Sequence, residues 1–488
     1  MSVLSHLEPK EVFHYFEEIA SIPHGSGNME KISHYIVDFA KEKGLKYIRD
    51  EIGNVIIFKN GSTGYENAPS VIVQSHLDMV CEKESDTDID FENEGLRLFV
   101  KGDKIRAEGT TLGGDDGIGV AYALALLADK DAIHPPIEAI FTVDEEIGML
   151  GAKFLDASPL KSSMMINIDS ESEGILTCAC AGGLTTVIDY PLKREKVKGK
   201  LCKLSVCGLT GGHSGQEINK GRANANFLLG RTLYKLTEEF KIYILSMNGG
   251  LKDNAIPRSS EALFLLEENE NFKKLHERIL AIEQTYQNEC AITDSGIYLT
   301  LSLTDEKEEA ALSVEESKKL ISFLYNLPTG IQKTDLFISG LPQTSLNLGI
   351  MKTTDDTLIF SFLIRSSVES EKQELYTRLS SLCYCFGAKI KRCEEYPAWP
   401  YKKDSFLRKL MVNVYKDMFD KTLIEDNVHA GLECGLFFDK IGNILDCVSI
   451  GPDIDDIHTP NETLHIKSTE RTWNFLKKVL EELAKTAK

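Results

Sequence analysis

The sequence of 488 residues is 42% hydrophobic and 27% charged, which is typical of a globular protein, and it is long for a single hydrophobic core. Its formal net charge of −20 disfavours nucleic acid and anionic membranes as the main partners. No apolar stretch reaches the roughly 20 residues that cross a bilayer, and the first residues lack a signal-peptide pattern. We therefore expect a cytoplasmic protein of two or more domains that binds neither nucleic acid nor membrane.

The first 182 residues are predicted to alternate between helices and strands. Apolar residues at helical spacing and runs of β-branched residues predict, in chain order, helices over 9–19 and 28–43 and strands over 53–58, 71–75, 136–144 and 164–169. A further helix, GVAYALALLAD, follows the glycine-rich stretch GTTLGGDDGIG. Such alternation is typical of an α/β layer with a largely parallel sheet, in which ligands bind at the carboxyl ends of the strands.

The pattern changes over residues 183–394, where one order of elements occurs twice. Each time a helix is followed by two strands and a second helix, from RANANFLLGRTLYKLTEE to FKKLHERILAIEQTY and from EESKKLISFLYNLP to EKQELYTRLSSLCYCF. We interpret this segment as an inserted α+β domain with an internal duplication. Helices and strands alternate again over 395–488, so we predict that these residues complete a first domain that 1–182 begins.

Potential metal ligands occur where the predicted strands end. His76 and Asp78 follow the run SVIVQ, and alternate side chains of a strand share a face, so both can reach the same object while Leu77 points away. One further histidine and five further carboxylates occur at other strand ends, in the glycine-rich turn and near the C-terminus, namely His458 and Asp115, Asp116, Glu145, Glu146 and Asp169. Any one of them suits a solvated turn equally well, but their recurrence favours a common site.

This set of two histidines and several carboxylates suits a borderline divalent ion such as Zn²⁺, with Mn²⁺ or Co²⁺ as alternatives. A carboxylate between two ions lets them lie about 3.5–4 Å apart, an arrangement that polarises a carbonyl and lowers the pKa of a bridging water. Neighbours on an extended backbone face opposite sides, so one of Glu145 and Glu146 can bind metal while the other takes a proton from the water. The sequence therefore predicts a centre of two metal ions with an acidic residue beside it.

The chain resembles the co-catalytic zinc peptidase and aminoacylase family in six motifs that occur in one order: SHLDMV, TTLGGDDGIG, DEEIGM, NIDSE, GGHSG and IHTPNE. The likeness runs over nearly the whole chain, including the long insert. HLDMV, DDGIG and HAGLECG resemble in particular the aminoacyl-histidine dipeptidase branch of that family. The resemblance implies a zinc-peptidase-like catalytic domain with a mixed, largely parallel sheet between helices, and an inserted α+β lid domain over 183–394.

The same resemblance implies the roles of the residues at the strand ends. Two divalent ions, Zn²⁺ before Mn²⁺ or Co²⁺, are expected on five ligands: His76, Asp115 as the bridge, Glu146, Asp169 and His458. Glu145 is expected to be the general base, and Asp78 is expected to orient His76. In this family an aspartate at position 169 goes with aminopeptidase or dipeptidase action, and the peptide bond after Asp115 is often cis.

Within the insert the resemblance implies three substrate contacts, which are His213 in GGHSG, Asn254 in DNAIPR and Arg365 in FLIRSS. Other interpretations stand beside these, because glycine and serine around His213 suit a plain turn and Arg365 suits a surface ion pair. His429 in HAGLECG is expected to shape the pocket rather than to bind metal.

The leading hypothesis is a metallopeptidase that hydrolyses unblocked dipeptides, among them Xaa-His dipeptides of the carnosine type, with Glu145 as the general base. An N-acyl amino acid deacylase would use the same metal core and differ only in its substrate pocket. A metal-bound but inactive peptide-binding protein would be expected to lack the base, yet Glu145 is present. The sequence leaves open the preferred dipeptide, the metal used in the cell and whether the chain forms a homodimer.

Overall fold

The structure is a computed structural model that describes residues 3–336, 338 and 340–486, with the backbone alone at 305 and 306. The chain divides into two compact units. The first unit consists of Met1–Cys180, Trp399–Asn427 and Leu432–Lys488, and the second consists of Ala181–Ala398 and Val428–Gly431. The first unit is therefore discontinuous in sequence, and each unit has a hydrophobic core of its own.

Up to Cys180 the described chain forms four helices and eight strands. In chain order they are α1 Lys10–Ala20, α2 Glu30–Glu42, β1 Lys46–Arg49, β2 Val55–Lys59, β3 Val71–His76, β4 Leu98–Lys101, β5 Lys104–Ala107, α3 Gly114–Ala128, β6 Ile137–Thr142, α4 Leu150–Phe154, β7 Met164–Asn167 and β8 Ile175–Cys180. The strand predicted over 136–144 ends at Thr142, because Asp144 adopts a left-handed φ of 54° that an extended strand does not allow.

The insert contains both copies of the predicted helix–strand–strand–helix order. Its elements are β9 Gly182–Pro191, β10 Arg194–Cys207, β11 Gly212–His213, a 3₁₀ turn Ile218–Lys220, α5 Ala225–Thr237, β12 Ile242–Gly249, β13 Ala255–Ile256, β14 Ser260–Leu266, α6 Phe272–Glu289, β15 Tyr298–Leu312, α7 Val314–Asn326, β16 Gly330–Thr334, β17 Pro342–Thr353, β18 Thr357–Ser366, α8 Glu369–Phe386 and β19 Lys389–Tyr396. The first copy is α5, β12, β14 and α6, and the second is α7, β17, β18 and α8.

The remaining residues return to the alternation of helices and strands. They form α9 Phe406–Phe419, β20 Ile424–Val428, α10 Glu433–Ile441, β21 Asp446–Ser449, β22 Ile454–Asp455, β23 Thr463–His465 and α11 Ile466–Lys485. The short strands β22 and β23 join β5 and β4 in a four-stranded sheet of the first unit. None of the helices in the described part of the chain has both the length and the apolar character needed to cross a membrane.

The first unit is built on an eight-stranded sheet with the order β1-β2-β6-β3-β7-β21-β8-β20. The central strands β6, β3, β7 and β21 run parallel, whereas β1, β2 and β8 pair antiparallel with their neighbours. All six residues of β3 are buried, as expected for a strand that is covered on both faces. The predicted α/β fold class with a mixed sheet is confirmed, and the parallel pairings lie at the centre of the sheet. The carboxyl ends of the central strands lie at one edge of this sheet.

The second unit is built on a nine-stranded sheet with the order β15-β10-β14-β12-β17-β18-β9-β19, and β16 also pairs with β17. The strands of the two copies meet at the centre of this sheet, where β12 pairs antiparallel with β17. The hydrophobic core of the unit includes buried residues from the helices of both copies, for example Leu233 and Ile279 from the first and Phe323 and Leu379 from the second. The two copies therefore share one sheet and one core.

Candidate active site

The turns after the parallel strands β3, β6 and β7 bring three predicted site residues to one edge of the first unit's sheet. His76 is the last residue of β3, and Asp169 follows the end of β7. Glu145 follows β6, in a turn that begins after Asp144. Because β3 lies between β6 and β7 and runs parallel to both, the segments that follow these strands meet at the same edge.

Asp115 lies between two imidazole rings. Its Oδ1 is 3.1 Å from Nε2 of His76, and its Oδ2 is 3.1 Å from Nε2 of His458. Oε1 of Glu146 is 2.9 Å from Nε2 of His458, and Oδ1 of Asp169 is 3.4 Å from Nε2 of His76. The structure thus brings all five predicted ligands together, with Asp115 at the centre.

The carboxylates change the pKa values of both imidazoles. Burial lowers the pKa of His76, but the charge of Asp169 and hydrogen bonds to the neighbouring carboxylates outweigh it and hold this pKa well above its ordinary value. Hydrogen bonds to Asp115 and Glu146 raise the pKa of His458 to about 10. Both rings therefore lie in an excess of negative charge, which a bound cation would compensate.

The side chains present fit divalent metal ions. Among the residues that the structure describes, three groups have ligand atoms within 4.8 Å of one another, namely His76 with Asp116 and Asp169, His76 with Glu145 and Glu146, and Asp115 with Glu146 and His458. Imidazole nitrogens and carboxylate oxygens are the ligands that Zn²⁺, Mn²⁺ and Co²⁺ accept in proteins. Asp116, a candidate in the sequence that is not among the five expected ligands, accepts the backbone N–H of His76 on its Oδ2 at 3.1 Å.

Asp78 makes hydrogen bonds both to His76 and to the turn that contains Glu145 and Glu146. Its backbone carbonyl accepts a hydrogen bond from Nδ1 of His76 at 3.0 Å, and its Oδ1 is 3.4 Å from the same nitrogen. In the neutral ring this bond places the proton on Nδ1 and leaves the lone pair on Nε2. The carboxylate of Asp78 also accepts the backbone N–H groups of Glu145 and Glu146 at 2.9 and 3.1 Å and the hydroxyl of Ser26 at 2.8 Å. The contact with this turn was not predicted.

Glu145 and Glu146 lie in a turn, so the expectation that an extended strand separates their side chains is wrong. The backbone carbonyl of Glu145 accepts the N–H groups of Gly148 and Met149 at 2.9 and 2.7 Å, which closes the turn. Desolvation raises the pKa of the Glu145 carboxyl well above its ordinary value, and the surrounding carboxylates add to this rise. The turn therefore keeps both glutamates beside His76.

Glu462 holds the glycine-rich turn that presents Asp115. Its carboxylate oxygens accept the backbone N–H groups of Leu112, Gly113, Gly114 and Asp115 at 2.7, 3.0, 2.8 and 3.2 Å. Gly113 has a left-handed φ of 65°, and the peptide bond after Asp115 is cis, as the family resemblance implies. Burial raises the pKa of Glu462 to about 7. Glu462 is the last residue of the motif IHTPNE, but its role was not predicted because a bond to backbone N–H groups leaves no pattern of side chains.

A buried polar layer supports the strand ends behind the metal ligands. Gln74, which precedes His76 on β3, donates from Nε2 to Oε2 of Glu433 at 2.5 Å and accepts from Nδ2 of Asn167 at 2.6 Å. Thr142 donates to the same oxygen of Glu433 at 2.7 Å. Glu433 is fully buried, and burial raises its pKa to about 8. This layer ties the ends of β3, β6 and β7 to the start of α10, and Glu433 too was missed in the sequence.

In the second unit, His213 and Asn254 lie on the paired segments around β11 and β13. The backbone carbonyl of Asn254 accepts the N–H of the residue that follows His213 at 2.8 Å. The N–H groups of Gly215 and Gln216 donate to Nδ1 of His213 at 3.3 and 3.1 Å, so the ring proton lies on Nε2. Burial lowers the pKa of His213 to about 4, and the charge of Arg365 contributes. His213 is therefore a neutral hydrogen-bond donor at neutral pH.

Arg365 is buried, with 4% of its surface exposed, which does not agree with the interpretation as a surface ion pair. Its Nη1 donates to the phenol oxygen of Tyr396 at 2.6 Å. His429 lies nearby and shares a hydrogen bond of 2.7 Å with the hydroxyl of Ser345. Burial lowers the pKa of His429 to about 3, and the charge of Arg365 adds to this effect, as does His213 once it is protonated in acid. The rings of His213 and His429, whose pKa values are both lowered, thus lie beside the buried guanidinium of Arg365.

Gly215 lies where the side chains of His213 and Arg365 meet the backbone carbonyl of His429. A Cβ added there would lie 2.5 Å from the carbonyl oxygen of His429, 3.0 Å from Cε1 of His213 and 3.2 Å from Nε of Arg365. Real Cβ atoms do not approach a carbonyl oxygen so closely, so a larger residue would push the three groups apart. The cluster combines one positive charge with hydrogen-bond donors, and it is suited to an anion such as a carboxylate.

Comparison with known proteins agrees with the fold and the sequence motifs. The chain matches the model of peptidase family M20/M25/M40 over residues 72–482. It is 39% identical over 486 residues to the cytosol non-specific dipeptidase of Escherichia coli (strain K12), with 99% of each chain covered. The crystal structure of aminoacylhistidine dipeptidase from Vibrio alginolyticus is similar with a TM-score of 0.91 and 35% identity over 98% of each chain. Aminopeptidase PepT from Bacillus cereus ATCC 10987 shares the fold, with a TM-score of 0.56 and 14% identity over 98% of this chain and 99% of its own. The family resemblance is therefore confirmed, and the chain belongs to peptidase family M20/M25/M40.

Proposed function

We propose that the protein is a metal-dependent dipeptidase that acts in the cytoplasm on unblocked dipeptides, including Xaa-His dipeptides of the carnosine type. The observation that carries this proposal is the carboxylate of Asp115, which directs one oxygen to each of two imidazoles. A carboxylate in this position is what a hydrolase with two metal ions requires. The similar proteins from E. coli and V. alginolyticus are both named dipeptidases, which supports the substrate class.

The proposed metal ligands are the five side chains of the cluster, with Zn²⁺ as the first candidate and Mn²⁺ or Co²⁺ as alternatives: His76, Asp115, Glu146, Asp169 and His458. When bound, the ions polarise the peptide carbonyl and make a water molecule more acidic. Asp115 holds the two halves of the site together, because it contacts both rings. Asp78 keeps Nε2 of His76 directed at the cluster through the bond to Nδ1.

Glu145 is the proposed general base. Its carboxylate takes a proton from the attacking water and delivers it to the leaving amine. The backbone N–H of Glu145 is bound by Asp78 at 2.9 Å, so the position of the base is coupled to that of His76. Glu146 contacts His458 and is assigned to metal binding instead.

The insert over 183–394 is proposed to be a lid domain, and 1–182 with 395–488 is proposed to be the catalytic domain. Arg365 binds the free carboxylate of the dipeptide, and Asn254 contributes a further substrate contact. His213 donates its Nε2–H to the former carbonyl oxygen as negative charge develops there. Its neutral state and fixed tautomer support this role.

Activity on a panel of substrates tests the proposal. Metal-loaded protein is expected to hydrolyse free dipeptides, including Xaa-His dipeptides, and to act poorly on longer peptides and on dipeptides with an acetylated amino group. Glu145→Gln serves as the control for residual activity. Efficient cleavage of N-acetyl amino acids with little action on free dipeptides would instead support a deacylase. Binding of dipeptides without hydrolysis would support an inactive binding protein.

A further inference from the structure

Arg365 lies in a row of residues that crosses four strands of the second unit's sheet. Strand pairing places Ser345 of β17 beside Arg365 of β18, Gly183 of β9 on the other side of Arg365, and Tyr396 of β19 beside Gly183. Neighbouring strands are about 4.8 Å apart, so the backbone of Tyr396 is roughly 10 Å from that of Arg365. Only a long side chain can span this distance.

The side chain of Tyr396 spans the distance between the two strands because its ring lies over Gly183. A Cβ added at Gly183 would lie 2.2 Å from Cζ and 2.4 Å from the phenol oxygen of Tyr396, so the ring occupies the space that any other residue would fill. The phenol oxygen then accepts a hydrogen bond from Nη1 of Arg365 at 2.6 Å. Gly183 therefore lets a tyrosine two strands away reach the guanidinium.

Further contacts fix the position of Tyr396. A Cβ at Gly431 would lie 2.6 Å from Cε2 of the ring. The backbone carbonyl of Tyr396 accepts a hydrogen bond of 3.1 Å from Nζ of Lys372, whose side chain is only 1% exposed. Lys372 is paired with Glu369 at 3.0 Å and with Glu395 at 3.2 Å, so its buried charge is compensated.

The charge of Arg365 is not compensated in the same way. Within the part of the chain that the structure describes, no carboxylate pairs with Arg365, and its Nε has no hydrogen-bond partner. The two rings beside it, His213 and His429, are neutral at neutral pH. A buried cation without a counter-ion is costly, so an anion that bound at the Nε edge would stabilise this arrangement.

We propose that Tyr396 is a positioning residue that orients the guanidinium of Arg365 toward the free carboxylate of a dipeptide, and that it thereby sets the preference for substrates with an unblocked C-terminus. The inference rests on the proposed function, because it takes that carboxylate as the ligand of Arg365. A guanidinium binds a carboxylate through two parallel bonds only when its plane is correctly oriented. The phenol oxygen of Tyr396 fixes the guanidinium plane through its bond to Nη1, so the edge that contains Nε can bind the carboxylate of the ligand.

The variant Tyr396→Phe removes the hydroxyl and keeps the ring over Gly183. For a free dipeptide we expect KM to rise about 10-fold with little change in kcat, as for the loss of one hydrogen bond to a charged group. For the same dipeptide with a C-terminal amide we expect no change in either constant. Tyr384→Phe is the matched control, because Tyr384 lies on α8 with 88% of its surface exposed. An equal loss on the free acid and the amide would show a merely structural role and would overturn the inference.

Binding of L-histidine and L-histidinamide, measured by calorimetry, gives a readout that does not depend on hydrolysis. Tyr396→Phe is expected to weaken the binding of L-histidine about 10-fold and to leave that of the amide unchanged. If the wild-type protein binds both compounds equally, or if the variant weakens both equally, the inference fails. If the wild type distinguishes the two compounds but cleaves no dipeptide, the proposed function fails while the role of Tyr396 stands.

Discussion

Glu145 and Glu146 are neighbours in the chain that contact different partners, and this difference can be tested residue by residue. Oε1 of Glu146 is 2.9 Å from Nε2 of His458, so Glu146→Gln should weaken metal binding. Glu145→Gln should keep both metals, because Glu145 is not assigned as a ligand, while kcat falls by about 10²- to 10⁴-fold through loss of the general base. Metal analysis of the purified variants together with steady-state kinetics measures both effects.

The exposed Glu374 on α8 provides a control for the simple loss of a negative charge. Glu374→Gln is expected to change neither metal content nor kcat. If Glu145→Gln proved empty of metal and Glu146→Gln full, the two roles would have to be exchanged.

At the scale of elements, Glu462 connects the segment before β23 to the turn that begins α3. Glu462→Gln preserves the shape of the side chain but replaces one acceptor oxygen with an NH₂ group that faces backbone N–H donors. We expect the affinity for metal to fall about 10- to 100-fold and the free energy of unfolding to fall by about 2 to 3 kcal/mol. Metal titration and urea unfolding measure these changes.

Glu470→Gln, on the exposed face of α11, is the matched control for Glu462→Gln. This substitution should leave the affinity for metal and the free energy of unfolding unchanged. Unchanged metal affinity in a stably folded Glu462→Gln protein would show that Asp115 does not depend on this clamp.

Elements with a strong local pattern could be predicted from the sequence, and others could not. The β-branched run of β3 and the apolar residues of α3 gave the correct element types, because burial on both sides leaves a continuous apolar segment. By contrast, β15 was not predicted, since it contains the charged run TDEKEE. It is an edge strand whose partner β10 lies about a hundred residues earlier, so its pairing has no local signature.

The same distinction applies to the site. The proposed metal ligands could be named because they follow strands or lie in short motifs. Glu462, Glu433 and Tyr396 could not, because each acts on groups that are distant in sequence: Glu462 binds backbone N–H groups about 350 residues away, and Tyr396 reaches across Gly183. Contacts of this kind depend on strand order and register, which the sequence does not display.

At the scale of the whole molecule, the two units should respond to different solution conditions. In the second unit burial lowers the pKa of His429 to about 3, whereas an unfolded histidine titrates near 6.5. As the pH falls below 6.5, His429 therefore binds a proton in the unfolded state but not in the folded state. Its contribution to the free energy of unfolding is fully present above pH 6.5 and is lost as the pH falls toward 3. At pH 5 the loss that His429 causes is on the order of 2 kcal/mol relative to neutral pH.

The variant His429→Gln removes this titrating group and should make the second unit less sensitive to pH. Hydrogen exchange of its backbone amides at pH 5 and pH 7 measures the difference. His276→Gln, on the exposed surface of α6, should behave like the wild type. An unchanged pH dependence in His429→Gln would show that the histidine is not held neutral.

The first unit should respond to metal removal, because a cation compensates the carboxylates around its two imidazoles. A ligand that binds only the folded state adds about 2.7 kcal/mol when its free concentration is 100 times Kd. Both tryptophans, Trp399 and Trp473, lie in the first unit, so their fluorescence follows its unfolding. With EDTA we expect the urea midpoint followed by fluorescence to fall and to recover when Zn²⁺ is added back, while hydrogen exchange in residues 181–398 stays the same. An unchanged midpoint would contradict the proposed metal centre, and an equal loss of protection in residues 181–398 would show that the metals stabilise the whole chain.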